Sequence, residues 1–178
     1  MGKVMSLMST IRKTGKTVGN ALTGSAGENG TDILDTLKKE HEEAGKLLKK
    51  LVESDKAAER RSILNKLKKA LAPHLVAEDK VVYRAVLAVK DKKAKIDGNE
   101  GQLEHAIAQQ TLVKLTKIKN ATSPEFSATA KVLKELVEHH VEEEERNIWA
   151  DVRENFSEED RFAMNRAFEA AKKNVKIP

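Results

Sequence analysis

Two stretches of the chain repeat one arrangement of side chains that can coordinate a cation. His74 is followed by Glu78 and Tyr83, and His140 by Glu144 and Trp149, so each histidine precedes a glutamate by four residues and an aromatic by nine. Four residues is just over one helical turn, so each His and its Glu share a face and can grip one metal centre. Two further histidines, His41 and His105, stand alone in other helical-looking segments. Spacings of 33, 31 and 35 residues separate His41, His74, His105 and His140. One ligand-bearing position per helix of a four-helix bundle is the pattern of a two-metal site.

A lone histidine on an apolar stripe is more often a hydrogen-bonded core residue than a ligand. Four of the five histidines, however, fall on the inward stripes of four different helices, two of them with a glutamate on the same stripe. Burying four imidazoles and two carboxylates together without a cation leaves costly unpaired groups. His139 and Glu143 share the four-residue spacing and compete with His140 and Glu144. Aligning the repeats selects His140: Leu67 and Leu71 stand seven and three residues before His74, and Leu133 and Val137 stand likewise before His140. Glu142, Glu143 and Glu145 then read as a solvated face. Tyr83 and Trp149 are oxidisable side chains near the site, though packing at the bundle end is their plainer reading.

The chain has no cysteine, which excludes disulfides, thiolate sites and thiol redox chemistry. Any metal must be held by nitrogen and oxygen, which points to iron, manganese or zinc.

The elements that carry these residues are helical throughout. With 178 residues, 39% hydrophobic, 34% charged and only three prolines, the chain suits one helical domain with solvated outer faces. Thr31 or Asp32 can cap a first helix bearing Ile33, Leu34, Leu37, His41, Ala44, Leu48 and Leu51. After a break at Ser54-Asp55, a second helix runs from about Ala57 to Val89. Pro73 lies inside it and is expected to kink it just before His74. Lys90 to Gly101 reads as a polar loop with its turn at Asp97-Gly98-Asn99. A third helix, about Glu100 to Lys119, carries His105, Ala108, Leu112 and Leu115. Ser123 caps and Pro124 opens a fourth, which places Leu133, Val137, His140, Glu144 and Ile148 on one stripe and reaches about Asn155. Ser157 to Asp160 forms a capping box for a shorter fifth helix with Phe162, Met164, Ala167, Phe168 and Ala171. Short breaks between long helices favour antiparallel neighbours. The expected fold is therefore all-α, an up-down-up-down four-helix bundle over residues 31–178 with an additional short C-terminal helix.

Residues 1–30 differ from the rest. They hold six of the nine glycines, and Lys3, Arg12, Lys13 and Lys16 stand against one acid, Glu28. They read as a basic flexible tail. Its thin apolar stripe (Val4, Met8, Ile11, Val18, Leu22) also suits a membrane surface or partner protein through residues 1–27, or an organelle-targeting presequence. Met1-Gly2 with Ser6 fits the short myristoylation pattern. The remaining residues carry 29 basic against 27 acidic side chains, so the formal charge of +5 belongs largely to the tail. A near-balanced body with few aromatics argues against a nucleic-acid partner. No apolar run is long enough to span a bilayer, and no compact apolar region suggests secretion, so the expected compartment is the cytoplasm, with organelle targeting left open.

These residues resemble the hemerythrin-like family, the HHE cation-binding domains. The resemblance covers about residues 32–155 and rests on His41, the His74/Glu78 pair, His105 and the His140/Glu144 pair, in the family's order. The run VEHHVEEEE before Trp149 looks especially like the family's last metal-binding helix. The resemblance implies a non-haem centre of two iron ions with an oxo or hydroxo bridge. Glu78 and Glu144 would span both irons, with His41 and His74 on one and His105 and His140 on the other. Oxygen-carrying members have another histidine one turn after the third-helix ligand, where this chain has Gln109. They also bridge with an aspartate five residues after the last histidine, where this chain has Glu144 at four. The set is more similar to the four-His, two-Glu proteins linked to nitric oxide handling and iron–sulfur cluster repair, although those often carry a cysteine-bearing N-terminal segment.

Gln109 in place of a histidine leaves each metal an exchangeable position, at which a small gas or oxidant (dioxygen, nitric oxide or peroxide) can bind. Three functions follow: binding or sensing such a ligand; an oxidoreductase acting on nitric oxide or peroxide, or serving cluster repair; and a non-catalytic iron-binding bundle.

Overall fold

The computed structural model describes residues 30–175; the readings made above for the N-terminal tail lie outside them. Helix α1 (Ile33–Glu53) starts where Asp32 Oδ1 accepts the Leu34 amide at 3.0 Å. The second rod begins with α2 (Ala57–Glu78), continues through a π-helical turn (Asp79–Tyr83) and ends in α3 (Arg84–Ala88). The third is α4 (Lys92–Lys117). The fourth comprises α5 (Pro124–Glu143), a π-helical turn (Glu144–Ile148) and α6 (Trp149–Asn155). Helix α7 (Glu158–Lys172) follows, opened by the reciprocal Ser157/Asp160 capping box.

Each rod packs on the next and the fourth closes on the first, giving the expected four-helix bundle, while α7 lies across α1 and α2. Period-3.6 stripes drive this arrangement, because Leu37, His41, Ala44, Leu48 and Leu51 all face inward on α1. The apolar core falls into two plugs. One gathers Ile33, Leu37, Val82, Tyr83, Trp149 and Phe168; the other gathers Leu48, Leu67, Leu71, Leu112, Phe126 and Leu133. Between them every rod contributes a buried polar side chain, so the bundle carries one polar layer closed above and below by hydrocarbon.

One local expectation is corrected. The segment read as a loop from Lys90 to Gly101 is mostly helix: Asp91 caps α4 by accepting the Ala94 amide at 2.8 Å, and Gly98 lies within the helix. Its glycines serve close packing. A Cβ on Gly101 would overlap the Tyr83 ring, and one on Gly98 would press on Leu87. At Pro73 the α-helix runs on without a break to Glu78, losing only the one N–H that proline lacks. Departures from α-helical hydrogen bonding come directly after Glu78 and again at Glu144.

Those two π turns explain the repeated aromatic. A residue five positions after the glutamate would lie roughly 140° away around a regular α-helix. A π turn absorbs one extra residue and brings that position back to roughly 40°. Tyr83 and Trp149 are thereby turned toward the polar layer, both of them buried.

Candidate metal centre

His41, His74, Glu78, His105, His140 and Glu144 meet in the polar layer, none more than 6% exposed. Glu78 Oε2 lies 3.1 Å from His74 Nε2 and 3.5 Å from His105 Nε2. Glu144 Oε2 lies 3.3 Å from His41 Nε2 and 3.5 Å from His140 Nε2. Each glutamate thus stands between one histidine of the His41/His74 pair and one of the His105/His140 pair. Two groups of three offer ligand atoms all within 4.8 Å of one another: His41, His74 and Glu78, and Glu78, His105 and His140. Glu78 belongs to both.

The outer nitrogens are as ordered as the inner ones. Glu40 Oε2 lies 2.9 Å from His74 Nδ1, Asp79 Oδ1 2.8 Å from His105 Nδ1, Glu104 Oε2 2.8 Å from His140 Nδ1, and Glu145 Oε1 3.1 Å from His41 Nδ1. Each carboxylate sits on one rod and holds the histidine of the next, first to second, second to third, third to fourth and fourth back to first. With each Nδ1–H donating to its carboxylate, a neutral ring turns its Nε2 lone pair to the interior, the tautomer a metal ligand needs.

Sequence reasoning missed this ring and assigned Glu145 to a solvated face. The signal was nonetheless present. Each of the four acids is the immediate neighbour of a residue of the inner set: Glu40 beside His41, Asp79 beside Glu78, Glu104 beside His105, Glu145 beside Glu144. One residue is about 100° of helix, enough to aim a side chain at the adjoining rod.

Protons and charges show what the arrangement lacks. His105 Nε2 and His140 Nε2 approach to 2.9 Å, and two lone pairs so close need a proton or a cation between them. Burial lowers the proton affinity of His140, but its hydrogen bond to Glu104 and the negative charge of the adjoining Glu144 outweigh that and lift its pKa to about 10. His41 is raised as well: burial opposes the proton, and Glu144 more than compensates. His105 is lowered by burial and by the charge on His140. Burial and the adjoining Glu144 push the Glu78 carboxyl well above the usual range. Burial would raise Glu144 too, yet His140 and His41 hold it well below. Both oxygens of Glu78 and of Glu144, and His41 Nε2, are buried without a hydrogen-bond partner. This donor set of imidazole nitrogens and carboxylate oxygens fits divalent or trivalent cations.

The remaining candidates are placed unequally. The Tyr83 ring centre lies 5.0 Å from that of His105 and 6.4 Å from that of His140, and its hydroxyl is buried and unpartnered. Trp149 stacks on His41 with ring centres 6.1 Å apart. Both therefore wall the polar layer rather than only filling the bundle end. Gln109 is turned off the inward stripe of Gly101, His105, Ala108 and Leu112, and lines an outer groove with Gln110, Val113 and Lys114. His139 is mostly exposed and touches only the outer oxygen side of the layer, through Glu104 at 3.5 Å.

The sequence model of the hemerythrin HHE cation binding domain matches residues 32–150. The chain is also 26% identical over 162 residues to a protein of Nostoc sp. named DNA nickase, a similarity spanning 89% of this chain but 44% of that protein. The chain thus accounts for less than half the length of that relative. No solved structure matches.

Proposed function

The chain belongs to the hemerythrin HHE cation-binding domain family, and from that premise we propose that it holds two iron ions and binds or senses a small gas or oxidant (dioxygen, nitric oxide or peroxide). The observation that carries this reading is the pair of overlapping ligand groups sharing Glu78, with Glu144 spanning the same two histidine pairs. His41 and His74 would hold one ion, His105 and His140 the other, and the two glutamates would bridge. Manganese or zinc would suit the same donors. When bound, the metal pair supplies electrons and open coordination positions for a small ligand.

The protein's own residues define what can enter. Leu and Val from the two plugs exclude bulk water from the layer. The crevice formed by Tyr83, Gly101, Glu104, His140, Glu144 and Asn147 has room for about 10 Å³, the size of one water. The ring of carboxylates fixes each imidazole and strengthens it as a donor.

The name of the Nostoc relative raises phosphodiester cleavage, a reaction that two-metal sites perform. Among the described residues the six inner side chains are at most 6% exposed, which favours a small ligand over a nucleic-acid phosphate. A second reading has firmer support. The Tyr83 ring, 5.0 Å from that of His105, sets an oxidisable side chain against the layer, which suits an oxidoreductase acting on nitric oxide or peroxide.

Metal analysis of protein purified without added metal, joined to an optical spectrum, tests the proposal. Two irons per chain with absorption from a bridged pair are expected. Mixing the reduced protein with each gas then separates the functions. A persistent reversible complex supports binding or sensing, and turnover supports the enzyme. A loaded protein inert toward all three leaves a structural metal and overturns both.

A further inference from the structure

Helix α7 lies beyond the family match, which ends at residue 150, yet it reaches the polar layer. Phe168 and Lys172 are four residues apart and share one face of it. Phe168 is fully buried, its ring edge-on to His74 with centres 5.8 Å apart. Lys172 extends over that ring, Nζ 4.8 Å from its centre, and its ammonium pairs with Glu169 at 2.7 Å and with Glu40 Oε1. The other oxygen of Glu40 is the one that holds His74 Nδ1. A continuous path therefore runs from Lys172 through Glu40 to His74.

The other three histidines lack such a path. Among the described residues, Asp79, Glu104 and Glu145 pair with no lysine or arginine; Glu104 has only the distant, mostly exposed His139 on its outer oxygen. An ammonium on one oxygen of a carboxylate draws electron density from the other. The imidazole it supports then becomes a poorer donor, and the cation also repels a metal ion nearby.

Resting on the metal-centre reading above, we propose that Lys172 is a positioning residue that acts through Glu40 on His74, making the His41/His74 position the weaker of two unequal metal positions. Ions then load in order, the His105/His140 position first. The C-terminal helix is the element by which this chain sets that inequality.

The test is titration of the metal-free full-length chain with cobalt(II), followed by its visible absorption. The unaltered chain should take up two ions in two steps of unequal affinity. Lys172→Met keeps the packing over Phe168 and removes the charge, and should tighten the weaker step by roughly threefold or more. Lys172→Arg keeps the charge and should leave both steps in place. Glu40→Gln should weaken the same step by about tenfold or more. The stronger step should move in none of them. Opposite signs for Lys172→Met and Glu40→Gln are a result that simple loosening of α7 does not produce. Equal steps in the unaltered chain, no change in Lys172→Met, or weakening in both variants would overturn the role of Lys172. A chain that takes up no cobalt at all overturns the metal-centre reading itself.

Discussion

The His41/His74 side and the His105/His140 side of the polar layer use the same donors but are closed by different means. On the first, Trp149 stacks on His41 and Phe168 of α7 meets His74 edge-on. On the second, Tyr83 presses against both histidines and is itself pinned by the missing side chain of Gly101. The glutamates are shared between the sides, whereas the walls belong to one side each. Changes to shared groups should therefore destroy the centre as a whole, and changes to a wall should affect one half.

The largest effect is expected from the shared groups. Glu78→Ala or Glu144→Ala should abolish loading of the metal pair, as read by metal content per chain. Full stoichiometry in either variant would remove its bridging role. Next comes the choice between adjacent histidines. His140→Ala should lose the metal of its side, while His139→Ala should retain full content, because its ring is mostly exposed and remote from the inner oxygens. Comparable losses in the two would reverse the assignment.

An intermediate effect concerns pH. His140, lifted to about 10, and His41, also raised, hold protons that a metal must displace. Cobalt affinity should therefore rise with pH from about 6.5, the ordinary histidine value, toward about 10. For the metal-free protein the linkage has the opposite sense. A raised histidine contributes stability fully below its unfolded value and loses it as pH climbs through its folded value. Thermal melts across that range should show the metal-free form weakening while the loaded form holds. A metal-free melting point that rises with pH there would contradict the proton assignment.

The smallest effect is expected from one wall. Gly101→Ala forces a methyl against the Tyr83 ring and should cost about 1–3 kcal/mol of stability, from the strain of overpacking a filled site. Its metal loss should be confined to the His105/His140 side. Melting temperature and cobalt stoichiometry together check this, and an unperturbed loss-free variant would show that Tyr83 has room to move.

How much of this was legible beforehand depends on the distance over which a signal acts. The capping residues Asp32, Ser123 and Ser157 and the inward stripes carrying all six inner side chains were readable from the chain alone. Each rests on hydrogen bonds or contacts within one helical turn or two. The start of α4 was misread because glycines and an Asp-Gly-Asn run normally mark a turn. Here the need for close approach to Tyr83 and Leu87 overrides that preference.

Sequence by itself therefore determined the helices, their order and which residue types face inward, because period and capping are local properties. The tertiary structure alone decided the rest: the ring of Glu40, Asp79, Glu104 and Glu145, the π turns that swing Tyr83 and Trp149 to the layer, and the arm of Lys172 from the last helix. Each of these joins groups on different rods, 26 to 132 residues apart where they hydrogen-bond. No periodicity along one helix encodes the rotation at which its neighbour will pack against it.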